Sequence, residues 1–290
     1  MQISGFDYSR VAVDGDIALN VAMAGSGPPI VLLHGFPQTH LIWRHVAADL
    51  AADHTVLVPD LRGYGDSDKP ADQDGETYSN RRMGDDIVAM AAALGHDSFA
   101  LAGHDRGALV AFRAAMDHPA TITHLAALDV LPTLDMWEVM RGTLGAIGFH
   151  LYLMAQPPGL PEQLIAAAPD LFFGHFLDLW TRDPDAIPPD VRATYLKASR
   201  EAIPSIVADY RASATVDKAH DEADRAAGNR LGMPVTVLQQ DWGDVLPYDA
   251  VGLWREWAAD LEHRTITTGH FVAEESPATV TTALRALLTR

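Results

Sequence analysis

Short apolar runs recur along the first half of the chain, each closed by turn residues, with amphipathic stretches between them. Ile30 to Leu33 is one run, ending in His34-Gly35-Phe36-Pro37. Val56 to Val58 is a second, ending in Pro59-Asp60-Leu61-Arg62-Gly63. A helical pattern follows from about Ser79 to Leu94, then a third run, Phe99-Ala100-Leu101-Ala102-Gly103. After a sharp turn comes a helix from about Gly107 to Met116, and Leu125 to Leu131 reads as another buried strand. Alternation of buried strands with helical patterns predicts an α/β chain, a mainly parallel sheet with helices on both faces. The first 25 or so residues read as a short antiparallel entry to that sheet.

After Pro132 the pattern changes. To roughly Ser213 it shows helical segments rich in aromatics and punctuated by prolines, with no clear strand. Strand signals resume at Val235 to Leu238 and at Arg264 to Thr267, and a helix from about Pro277 to Leu288 closes the chain. The expected organisation is a core in two parts, 1–131 and 216–290, with a helical lid over 132–215 inserted between them. No internal repeat and no low-complexity tail is evident.

Composition narrows the function classes. The 290 residues carry 21 Lys+Arg against 39 Asp+Glu, a formal charge of −18. That balance argues against nucleic acid or an anionic membrane as partner and requires any anionic substrate to be held by a local arginine. The absence of cysteine excludes thiol nucleophiles, disulfides and thiolate metal sites. The first 30 residues lack a basic segment followed by an apolar stretch, and no apolar run is long enough to span a bilayer. A soluble, cytoplasmic protein is expected.

The sharp turn Gly103-His104-Asp105-Arg106-Gly107 lies between an apolar strand and a helix. Glycines two positions either side of Asp105 allow strained backbone angles and close helix–strand approach. With serine at the centre, this arrangement is the nucleophile elbow. With aspartate there, the carboxylate can displace a leaving group from carbon or open an epoxide, forming an ester that water then cleaves. The plainer reading is that Asp105 caps the following helix.

Three features in the right chain order favour the chemical reading. His270, in Thr268-Gly269-His270-Phe271 after a late strand, is placed to activate water; the chain has 13 histidines, so position is the whole argument. Asp129, at the end of Leu125-Ala126-Ala127-Leu128, is the chosen orienting acid, with Asp241 and Asp244 as competitors after the strand Val235 to Leu238. The backbone N–H groups of Phe36 and Arg106 are the candidate oxyanion hole.

HGFPQ at 34–38, DLRGYGDSDKP at 60–70, GHDRG at 103–107, LDVLPT at 128–133, ADYRAS at 208–213 and GHF at 269–271 together resemble the fluoroacetate/haloacetate dehalogenases. These belong to the α/β-hydrolase superfamily. The resemblance runs over nearly the whole chain, and GHDRG is its specific part. It implies an α/β-hydrolase fold with Asp105 as nucleophile, His270 as base and Asp129 as acid. It also implies Arg106 on the substrate carboxylate, a role suited to a planar donor fork. His150 and Tyr210 match a halide-holding histidine and tyrosine, and a homodimer is implied as well.

Two positions depart from that pattern. Leu109 stands where a second carboxylate-binding arginine is usual, with Arg113 one turn further along and too deep to replace it. Leu151 stands in place of a halide-pocket tryptophan; with Trp180 it is expected only to line the pocket. Each loss removes a polar contact worth ~1.5–3 kcal/mol. The expectation is a small-haloacid dehalogenase that prefers chloro and bromo substrates to fluoro ones, since fluoride needs most help to leave. An epoxide hydrolase or neutral haloalkane dehalogenase with the same nucleophile is the first alternative, with Tyr210 as acid and Tyr152 or Tyr195 assisting. A non-catalytic small-ligand-binding protein is the second. Tyr64 is read as structural. No cofactor or metal is called for, because a carboxylate is already ionised at neutral pH.

Overall fold

A computed structural model of the chain describes residues 1–243 and 245–290. Among these, eight strands form one sheet: β1 (Asp7–Asp14), β2 (Ile17–Ala24), β3 (Pro29–Leu33), β4 (Thr55–Pro59), β5 (Phe99–His104), β6 (Ile122–Leu128), β7 (Val235–Gln240) and β8 (Leu261–Ile266). Their spatial order is β1-β2-β4-β3-β5-β6-β7-β8. β2 pairs antiparallel with β1 and β4, which is the antiparallel entry; from β4 to β8 every pairing is parallel. All six residues of β5 are buried, as an unbroken apolar strand covered on both faces must be.

The helices Asn80–Ala93, Arg106–Asp117 and Pro277–Leu287 fall where the periodicity put them. Ser79 starts the first by accepting the Arg82 N–H at 3.2 Å, an ordinary N-cap. Arg44–Leu50 and Ala250–Trp257 were not foreseen, being too short for a periodic signal.

Two strands, β6 and β8, are displaced from the sequence reading at both ends. β6 ends at Leu128 rather than Leu131, because Asp129 turns to φ +49°, outside the extended region. β8 spans Leu261–Ile266 rather than 264–267. It is an edge strand whose half-buried Leu-Glu-His-Arg start shows no alternation.

The insertion between β6 and β7 is helical, with no strand among its described residues. A π-helical turn at Ser213–Asp217 joins Ile203–Ala212 to Lys218–Ala227. This last helix is bound to the core side: Asp224 accepts from Arg113 at 2.5 Å, and the Arg225 guanidinium lies 4.8 Å over the Trp257 ring. Among the described residues no helix is long and apolar enough to cross a membrane.

Candidate active site

β4 lies on one side of β3 and β5 on the other, so the winding reverses between β3 and β5. In open sheets the crevice beyond the carboxyl ends at such a reversal is where ligands sit. His34-Gly35-Phe36 follows β3 there, and Asp105 follows β5. Asp105 has φ +49° and ψ −120°, a strained position for a side-chain-bearing residue. The glycines make it reachable. A Cβ on Gly35 would lie 2.6 Å from the Asp105 Cβ, and one on Gly103 or Gly107 would meet backbone at 2.3 Å. Although Asp105 stands at the N-cap position of Arg106–Asp117, its side chain makes no cap bond. Instead Oδ1 accepts the Phe36 N–H at 2.7 Å, which overturns the helix-cap reading.

His270 Nδ1 donates to Asp129 Oδ2 at 2.6 Å, and its Nε2 lies 3.7 Å from Asp105 Oδ2. Asp129 is also at φ +49°, and Gln240 fixes it through its backbone N–H (3.0 Å to Oδ1) and Nε2 (2.6 Å to Oδ2). Asp241 is exposed and its Oδ1 accepts the Gly243 N–H at 3.0 Å, so it does not serve His270. Asp244, the other competitor, lies outside the described residues. Burial alone would lower the His270 pKa, but the carboxylates of Asp105 and Asp129 outweigh it and hold the imidazole up to about 10. Burial pushes Asp105 the other way, towards protonation, yet His270, His104 and the Phe36 N–H hold its carboxyl well below the usual range. His104 is neutral, lowered to about 4 chiefly by burial, and donates from Nε2 to the His270 carbonyl at 2.7 Å.

The lid supplies the opposite wall. Asp105, Arg106, Leu109, His150, Leu151, Trp180, Tyr210 and His270 all border one cavity of about 100 Å³. Arg106 differs from the expected free fork. Its Nε (3.0 Å) and Nη2 both bind Asp209, which leaves Nη1 as the unpartnered nitrogen. Tyr64 also donates to Asp209, at 2.5 Å, so it helps set this pair. The Arg106 guanidinium stacks on Tyr210, 4.9 Å from the ring centre. His150 is held neutral, its pKa lowered to about 3 mainly by burial, and its ring lies 5.2 Å from Trp180 and 5.6 Å from Tyr210. Tyr152 and Tyr195 are not brought to the cavity. Tyr152 is exposed and donates to Met140 O at 2.6 Å, and Tyr195 donates to Glu274 Oε1 at 2.5 Å. Arg113 is bound to Asp117 and Asp224, away from the site.

Asp209, Gln240 and Glu275 were missed from sequence. Glu275 Oε2 accepts the N–H groups of Gly269 (3.1 Å), Arg182 (3.0 Å) and Asp183 (3.0 Å), and His270 N–H donates to Trp180 O at 2.8 Å. These bonds tie the His270 loop to the lid. The adjacent acidic pair after GHF was the one available signal, and it does not reveal a partner some 90 residues away.

A reversed-winding crevice, a glycine-framed turn at its mouth and a histidine held by a carboxylate define a hydrolase of the α/β type. The chain belongs to the alpha/beta hydrolase fold family, whose model matches residues 28–277. It is 36% identical over 289 residues to a fluoroacetate dehalogenase of a Burkholderia species, covering 98% of this chain and 94% of that one. It is 31% identical to a soluble epoxide hydrolase of Corynebacterium sp. (strain C12), covering 89% of each. A crystal structure of a Nostoc sp PCC 7120 chain described as an alpha/beta hydrolase superposes with a TM-score of 0.95 at 38% identity, covering 100% of both chains.

Proposed function

We propose that the protein hydrolyses the carbon–halogen bond of a small haloacid through an ester on Asp105. The observation that carries this reading is the seat of the Asp105 carboxylate. Oδ1 accepts the Phe36 N–H at 2.7 Å, Oδ2 lies 3.7 Å from His270 Nε2, and Asp105 borders the cavity. Oδ2 attacks the halogen-bearing carbon from behind, the C–X bond breaks, and the halide leaves towards His150 and Tyr210. Water then attacks the ester's carbonyl carbon while His270 Nε2 takes its proton. The oxyanion on Oδ1 is held by the N–H groups of Phe36 and Arg106. Collapse returns the Asp105 carboxylate and releases the hydroxy acid, so R–X and water become R–OH, halide and a proton. Arg106 Nη1 holds the substrate carboxylate. Leu109 and Leu151 offer neither anion a donor, so chloro and bromo substrates are turned over faster than fluoro ones.

A second reading, epoxide opening by the same carboxylate with Tyr210 protonating the ring oxygen, is favoured by the pairing of Arg106 with Asp209. That pair cancels much of the positive charge a carboxylate would seek, and a soluble epoxide hydrolase is among the relatives.

The test is halide release from fluoro-, chloro- and bromoacetate by wild type, Asp105→Asn and His270→Ala, with intact mass recorded. The expected result is halide from wild type, an alkylated His270→Ala and an unmodified Asp105→Asn. Diol from epoxides without halide would support the second reading, and no adduct from either class would mean a binding protein. Fluoroacetate turned over as fast as chloroacetate would refute the leaving-group order.

A further inference from the structure

Beyond the groups that a two-carbon acid would touch, the cavity continues along an aliphatic wall. Met136 and Val139, on the helix Thr133–Val139, and Met140, just after it, face the cavity at the i, i+3, i+4 spacing of one helical side. Trp137, off that side, donates instead to Ser213 O at 3.1 Å. Ile147 continues the wall, and Leu109 and Leu151 join it to Asp105 and His150. Met136, Val139, Met140 and Ile147 are each only half-buried, whereas Leu109 and Leu151 are 2% and 4% exposed. Chloroacetate has five non-hydrogen atoms. With its carbon at Asp105, its halide at His150 and its carboxylate at Arg106, nothing is left to reach Met136 or Ile147.

We propose that the natural substrate carries a linear alkyl chain on its reacting carbon, and that Leu109, Leu151, Met136, Val139, Met140 and Ile147 form the site that holds it. The identity of the reacting carbon rests on the function proposed above; the alkyl site itself does not. Covering this wall removes apolar surface from water, which favours a longer chain by about fourfold per methylene until the chain outgrows the wall. The same preference holds for a 2-haloalkanoate and for a terminal epoxide, because the wall reads the chain and not the electrophile.

Two measurements on the wild-type protein test this together. Calorimetry gives Kd for unreactive alkanoates and alkanamides of two to eight carbons, and kcat/KM is taken for 2-bromobutanoate to 2-bromooctanoate and for 1,2-epoxybutane to 1,2-epoxyoctane. Both reactive series begin at four carbons, so the reacting carbon has constant reactivity. The expected result is a fall in Kd and a rise in kcat/KM of about fourfold per methylene over the first steps, then a plateau. In Met140→Gln the ratio of six- to four-carbon values should drop severalfold. Carboxylates binding more tightly than amides would assign the head group to Arg106, and equal binding would assign a neutral one; either is compatible with the alkyl site. Flat or worsening values with chain length overturn the alkyl site. Chain-length gains in Kd with no reaction and no adduct on Asp105 would uphold it while sinking the proposed function.

Discussion

Asp105→Asn is the most informative single change, because asparagine copies the shape of the Asp105 ester in the proposed mechanism and, like that ester, carries no charge. In the unmodified protein the imidazole of His270 lies 3.7 Å from Asp105 Oδ2 and is held up to about 10, so near neutral pH it is protonated and cannot accept a proton from water. A unit charge pair at that distance is worth about 4.5 kcal/mol at an effective dielectric of ~20 and about 1 kcal/mol in the limit of bulk water. At 1.36 kcal/mol for each pH unit, removing the Asp105 charge should bring the His270 pKa from about 10 to between about 7 and 9. In the proposed mechanism, esterification would then itself switch on the base: the step that forms the ester would also free Nε2 for the step that cleaves it. Both side chains are largely buried, so salt should change this little. The assay is an NMR titration of the imidazole in wild type and Asp105→Asn, with His270→Gln to assign the resonance. The same titration midpoint in both proteins would refute the coupling, and His270 would need another route to its neutral form.

Asp129→Asn should lower kcat about 10³–10⁴-fold by leaving the His270 imidazole tautomer unfixed, since His270 and Gln240 would then face a group that both donates and accepts. Asp241→Asn should leave halide release unchanged, and the reverse ranking would reassign the acid. Gly35→Ala puts a Cβ 2.6 Å from the Asp105 Cβ and the His104 carbonyl, so a stability loss of about 1–3 kcal/mol in urea melts and loss of halide release are expected together. Burial raises Asp217 to about 7, so it binds its proton more tightly when folded. Its contribution to stability is fully present below the ordinary carboxylate range and is lost as pH rises through about 7. The buried histidines His34, His104 and His150, all lowered by burial, act in the opposite direction over the acid range. The readout is therefore a difference: from pH 5 to 8, wild type should lose stability relative to Asp217→Asn, and a constant difference would count against it.

Much of the frame could be read without coordinates because its signals are local. The apolar runs at 30–33, 56–58 and 99–103 are strands, short apolar segments bounded by turns and buried in a mainly parallel sheet covered on both faces. The glycines around Asp105 announce a turn no other residue could make, and the order of Asp105, Asp129 and His270 put each at a strand's carboxyl end. What the tertiary structure decided is pairing. The sequence offers Arg106 as a free cation, but folding brings Asp209 onto it from 103 residues away, with Tyr64 on the same carboxylate. Gln240 against Asp129 and Glu275 against the lid are likewise contacts between distant segments. Local patterns declare which residues must be buried or must turn. They carry no record of which buried charge will find which partner, because that depends on how two remote segments pack.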